Sequence, residues 1–176
     1  MTTIHEPRAV RPEHPDDLMT VLPAEPGSLR PVRRLVRTWL AGHGWPEDDA
    51  EDVELAVNEA AANVVDHAYR PGTEGTVTLH AWIRDTAGAR RVVATVIDRG
   101  RWGAHQPATP PAHTRGHGLA VMSGCMEEMH IQRGTAGTTV VLVSRPVGAA
   151  PVVGAAPVVG AAPEISAADP PASAGA

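Results

Sequence analysis

No lysine occurs anywhere in the 176 residues, so all 15 basic side chains are arginines. That absence removes several kinds of chemistry. A P-loop needs its lysine on the β- and γ-phosphates, a bilobal protein kinase needs a strand lysine, and a pyridoxal phosphate enzyme needs one for its Schiff base. Phenylalanine is missing too, and the apolar fraction of 43% rests mainly on Ala, Val and Leu, so the core must be aliphatic. The one cysteine, Cys125, has no partner for an internal disulfide. The opening MTTIHEPRAV lacks the apolar run of a secretory leader. Nor does any stretch approach the roughly 20 uninterrupted apolar residues that cross a bilayer. A cytoplasmic protein with no membrane partner is the expectation. A net charge of −5 leaves no broad basic face to displace counterions from a phosphate backbone, which argues against nucleic acid.

What is present suggests one domain with two appendages. Residues 1–17 are rich in Pro, His and charge without an apolar period and read as a flexible arm. MTVLPA is a strand candidate, and SLRPVRRLVRTWLAG carries Leu29, Val32, Leu35, Val36, Trp39 and Leu40 at helical spacing, with Ser28 as N-cap and Gly42 as stop. A second helix begins near Pro46 with an acidic first turn, which suits the positive end of a helix, and runs through VELAVNEAAANVVDHA. Two strands follow: TVTLHAWIR alternates, and RVVATVID, apolar on both faces, reads as central. Residues 100–114 lack any period and read as a loop. GLAVMSGCMEEM gives a short helix with Leu119, Met122 and Met126 inward, and HIQRGTAGTTVVLVSR a hairpin through Gly134 and Gly137. The folded domain is thus read as residues 18–145. Residues 146–176, with their PVVGAA repeats, read as a disordered tail.

The second helix carries the first chemical signal. At about 100° per residue, Val53, Val57, Ala60, Val64 and Ala68 share one face, which should pack on the sheet. Glu59 and Asn63 stack on an adjacent strip at i, i+4, with Asp66 a turn further on. A carboxylate at a core margin can act as a general base, and a carboxamide oxygen is a hard ligand for Mg²⁺ held mostly by phosphates and water. A solvated helix flank would carry the same two residue types.

Asp98 closes the hydrophobic strand before Arg99 and Gly100, where a carboxylate can accept from an exocyclic amine such as adenine N6, or simply start a turn. In TRGHGLAVM two glycines let backbone approach an anion, and the following helix offers free N–H groups to phosphate. A dinucleotide fingerprint would want a third glycine where Val121 stands and a strand directly before, which the Pro-rich loop replaces.

In chain order, ELAVNEAAANVVDHAY, VIDRG, the loop, TRGHGLAVM and GTTVVLV resemble the blocks of the GHKL, or Bergerat-fold, ATPase superfamily. The short form containing NEAAANVVDHAY resembles its anti-sigma-factor serine/threonine kinase branch. The resemblance implies an α+β two-layer sandwich, its mixed, mostly antiparallel sheet covered on one face by helices. It also implies ATP and Mg²⁺, with Glu59 as general base or hydroxyl-orienting group, Asn63 as the Mg²⁺ ligand, Asp98 on adenine, and Gly100 making room for the base. Gly116, His117 and Gly118 would meet the phosphates, Arg115 could offer charge to the γ-phosphate or form a surface ion pair, and Thr138 is a further nucleotide contact. The loop 101–114 would be an ATP lid. Implied partners are a STAS-domain anti-anti-sigma factor, an RNA polymerase sigma factor and a second copy in a homodimer.

The aspartate box departs from the family's D-x-G-x-G, because Trp102 stands at the second glycine. That departure keeps open a non-catalytic ATP-binding module that holds sigma without phosphorylating anything. A sensor histidine kinase would need a preceding helix pair with a phosphoacceptor histidine, for which the N-terminal region is too short. Zinc is disfavoured: His113 and His117 are four apart but separated by Gly116, and Cys125 has no companion at ligand spacing.

Overall fold

The computed structural model describes residues 14–86, 88–101 and 117–148. The elements run β1 (Leu18–Pro23), a 3₁₀ turn (Pro26–Ser28), α1 (Leu29–Gly42), α2 (Glu47–His67), β2 (Thr76–Thr86), β3 (Ala89–Asp98), α3 (His117–Cys125), β4 (Glu128–Gly134), β5 (Gly137–Val143) and β6 (Val147–Gly148). The sheet is ordered β1-β2-β3-β5-β4, with β6 joining β3, and each described pairing is antiparallel.

The strand read as central is central, for a physical reason. β3 is apolar at successive positions, and Val92, Val93, Ala94 and Val96 are all buried. On β2 only alternate residues, Val77, Leu79 and Ala81, enter the main core, where α1 contributes Val32, Val36 and Leu40. α2 buries Val53, Ala56, Val57, Ala60, Ala61 and Val64, the stripe that its spacing predicts. Three helices therefore cover one face of the sheet around an aliphatic core, the two-layer α+β arrangement expected.

Several local readings need correction. Ser28 does not cap α1 with its side chain: it closes the 3₁₀ turn in helical geometry and is buried, because Pro26 starts the helical path one turn earlier. Leu119 points outward at 41% exposure, whereas Met122 and Met126 are buried, so the short α3 buries a narrower stripe than its composition suggests. Asp16 and Asp17, assigned to the arm, are tied down: Trp39 Nε1 donates to the Asp16 carbonyl at 2.7 Å, and Asp17 lies 3.2 Å from His80 Nε2. At the other end, Val147 is buried and pairs with Arg90, so two residues of the stretch read as tail, Val147 and Gly148, belong to the sheet.

Candidate functional site

α2 supplies one wall. Glu59 and Asn63 sit half-buried on its flank, beside the stripe that packs on the sheet. Against them lies the start of α3. A Cβ built on Gly118 would stand 3.1 Å from Glu59 Oε2 and 3.4 and 3.6 Å from the two terminal atoms of Asn63. The acid, the amide and the second glycine of TRGHG therefore meet at one point, although up to 59 positions separate them (118 − 59). The amides of the first turn of α3 have no partners within the helix, and they open beside this point. His117 is exposed there. α3 is anchored at its other end by Arg145, whose Nη1 donates to Asp52 at 3.0 Å and to the Cys125 carbonyl at 3.2 Å, and whose Nη2 donates to the Gly124 carbonyl at 2.5 Å. A cation on the last carbonyls of a helix satisfies orphan acceptors and fixes the helix against α2.

The second wall is the end of β3. Asp98 is 3% exposed, and its Oδ1 accepts the Gly100 N–H at 2.8 Å. The carboxylate thus does begin a turn. Thr138, buried as well, is its register partner on β5. Gly137, at φ 128°, lets the β4–β5 turn pass directly against the Asp98 carbonyl, where a side chain would collide. Gly100 lies equally close to the Ala68 carbonyl at the end of α2. Ala68 is five residues beyond Asn63, about 7.5 Å further along the helix axis. The Asp98 end and the Glu59–Asn63 end are therefore two stations along one helix.

Arg115, Gly116, Trp102 and the remainder of the lid lie outside the described residues. Tyr69 had drawn no role from the sequence, yet its hydroxyl accepts the Arg99 N–H at 3.0 Å and donates to the Thr76 carbonyl at 2.8 Å. The available signal was that it is the only tyrosine in the chain, standing just past the Glu59–Asn63 helix. A cleft of about 410 Å³ opens between Tyr69, Thr73, Glu74 and Arg101 at this end of α2.

A helix-backed antiparallel sheet, with an acid–amide pair on its central helix facing a glycine-led helix N-terminus, defines a nucleotide-binding domain of the histidine-kinase-like kind. Residues 22–144 match the family model of the histidine kinase-like ATPase domain, and the chain belongs to that family. It is 31% identical over 133 residues to the serine-protein kinase RsbW of Bacillus velezensis, covering 69% of this chain and 80% of that protein. The serine-protein kinase RsbW of Bacillus subtilis is 29% identical over the same length, with the same shares. Among solved structures, the RsbU and RsbW domains of Rv1364c from Mycobacterium tuberculosis superpose with a TM-score of 0.59 at 30% identity. That match covers 76% of this chain and spans about a third, 33%, of the Rv1364c chain. The family is one of ATPase domains, and the relatives matched within it are serine-protein kinases named RsbW. No helix among the described residues is long and apolar enough to cross a membrane.

Proposed function

We propose that this chain is an ATP-dependent serine/threonine kinase and anti-sigma factor that acts in the cytoplasm on a STAS-domain anti-anti-sigma factor. The observation that carries the reading is the meeting of Glu59 and Asn63 with Gly118 at the N-terminus of α3. ATP would lie along α2, its adenine toward Asp98 and Thr138 and its triphosphate toward Gly118 and His117, with Gly100, Arg115 and Gly116 completing the site. Glu59 orients the acceptor hydroxyl and takes its proton. The hydroxyl oxygen bonds to the γ-phosphorus, the bond from that phosphorus to the β,γ-bridging oxygen breaks, and ADP leaves.

The donor set fits a magnesium ion. Asn63 offers one hard amide oxygen, and the described residues hold no group of three or more His, Cys, Asp or Glu placed to cage a metal alone. An ion held by one amide, phosphate oxygens and water needs no such cage. When bound, it would neutralise charge on the phosphates.

The product carries about −1.5 to −2 added charges, which in an interface with acidic neighbours repels and desolvates unfavourably. The phosphorylated partner would then separate and leave the kinase to hold a sigma factor. A second copy of this chain belongs to the same reading.

Glu59→Ala tests it. Radiolabel transfer from ATP to a cognate STAS protein should fall by about 10²-fold or more, while ADP still binds. Transfer at the wild-type rate would remove Glu59 from the reaction. No transfer by wild type, with ADP bound, would favour a non-catalytic module, as Trp102 in the aspartate box suggests.

A further inference from the structure

The corner that follows Asp98 is held by hydrogen bonds from three successive residues. Three successive amides point to fixed acceptors: Arg99 N–H to the Tyr69 hydroxyl at 3.0 Å, Gly100 N–H to Asp98 Oδ1 at 2.8 Å, and Arg101 N–H to the Ala68 carbonyl at 2.8 Å. Two of the three acceptors, on Ala68 and Tyr69, lie just past the C-terminus of α2. The Tyr69 hydroxyl is itself aimed, because its proton goes to the Thr76 carbonyl at the start of β2, leaving a lone pair for Arg99. Gly75 seats the ring: a Cβ there would overlap it. One phenol therefore links α2, β2 and the 98–99 peptide.

That peptide leads into Gly100, whose N–H holds Asp98 Oδ1 at 2.8 Å, so its setting bears on where the carboxylate points. Rotating it would shift the Gly100 N–H, and the carboxylate bound to that N–H would turn with it. Arg99 is exposed, so water can replace the lost acceptor at small cost to folding. Water, however, fixes no angle. Loss of the hydroxyl should accordingly be felt in recognition more than in stability.

We propose that Tyr69 is a positioning residue for base selection: it holds the Asp98 carboxylate in line for the 6-amino group of a purine. The inference rests on the reading above that Asp98 receives adenine, and its test separates the two. ADP and IDP, which carries a 6-oxo group in place of the amine, are titrated by calorimetry against full-length wild type, Tyr69→Phe and Asp98→Asn in magnesium buffer. Wild type should prefer ADP by about tenfold or more, because an oxo group would face the carboxylate as a second acceptor. Tyr69→Phe should weaken ADP about tenfold and change IDP by less than about twofold, so that the preference collapses. Adding Tyr69→Phe to Asp98→Asn should not alter the ADP-to-IDP ratio further.

Equal weakening of both nucleotides, or no change in either, overturns the role of Tyr69 and leaves the adenine reading standing. Lack of preference in wild type overturns the adenine reading, and the Tyr69 inference with it. Should Tyr69→Phe fail to fold, Gly75→Ala displaces the ring while keeping its hydroxyl, and the same collapse of the ratio is required.

Discussion

Gly118→Ala separates nucleotide binding from folding, because its two effects on folding oppose each other while its effect on the site has one sign. Gly118 sits in α3 with an ordinary helical backbone, so alanine incurs no conformational strain and gains up to about 1 kcal/mol of helix propensity. Against this, the new methyl would stand 3.1 Å from Glu59 Oε2, and Glu59 must withdraw by a few tenths of an ångström. An unbranched, half-buried side chain yields at about 0.5–1.5 kcal/mol. The two nearly cancel, and the melting temperature should stay within about 3 °C of wild type. Binding is another matter. The methyl occupies the space in which a phosphate would approach, and a displaced acid loses its line to the acceptor. An error of about 1 Å in such a group can cost about 10²-fold. We expect ADP affinity to fall at least about tenfold, and phosphate transfer further.

Gly124→Ala is the control, since it lies on the same helix with nothing within 4 Å of its added methyl. It displaces no side chain, so it should melt at or above Gly118→Ala, by up to about 1 kcal/mol of uncompensated helix propensity, and match wild type in ADP titration. If Gly118→Ala melts normally and binds ADP within about twofold of wild type, the Glu59–Asn63 wall does not face the nucleotide.

Two further outcomes check the packing. Met122→Ala should cost about 2–5 kcal/mol in denaturant unfolding, as a fully buried side chain leaving a cavity, whereas Leu119→Ala on the same helix should stay within about 0.5 kcal/mol. Similar losses for both would contradict the orientation of α3. Burial first, and the hydrogen bond with Asp52 second, push the Cys125 thiol above its ordinary value. Iodoacetamide should therefore modify it more slowly than free cysteine near pH 8, with the rate climbing only as pH passes the usual thiol range of about 8.5. The folded chain keeps this proton longer than the unfolded chain, so the stability it contributes is complete at lower pH and is lost as pH rises toward the raised value. A rate equal to that of the free amino acid would refute the assignment.

The parts legible in the sequence were those where one period dominates. α2 buries the stripe read from Val53 to Val64, and β3 is central because apolar residues on both faces have nowhere else to go. The Glu59–Asn63 pair was legible because helix geometry fixes an i, i+4 relation locally. Less legible was anything decided by a distant neighbour. Leu119 turns outward because α2 leaves room for only one stripe of α3, which composition does not record. His80 is buried on a polar-looking strand position because Asp17, from the supposed arm, lies against it. Tyr69 was missed for the same reason: its partners are backbone groups of Thr76 and Arg99, which carry no side-chain signature.

The short β6 bears on how the chain can be extended. Val147 and Gly148 pair with Arg90 and Ala89 at the beginning of β3, whereas Asp98 stands at its end. Nine residues of strand, at about 3.3 Å each, separate these points by about 30 Å. Whatever is spliced on after Gly148, a reporter or an affinity handle included, begins beside the β2–β3 hairpin, with the length of the sheet between it and Asp98.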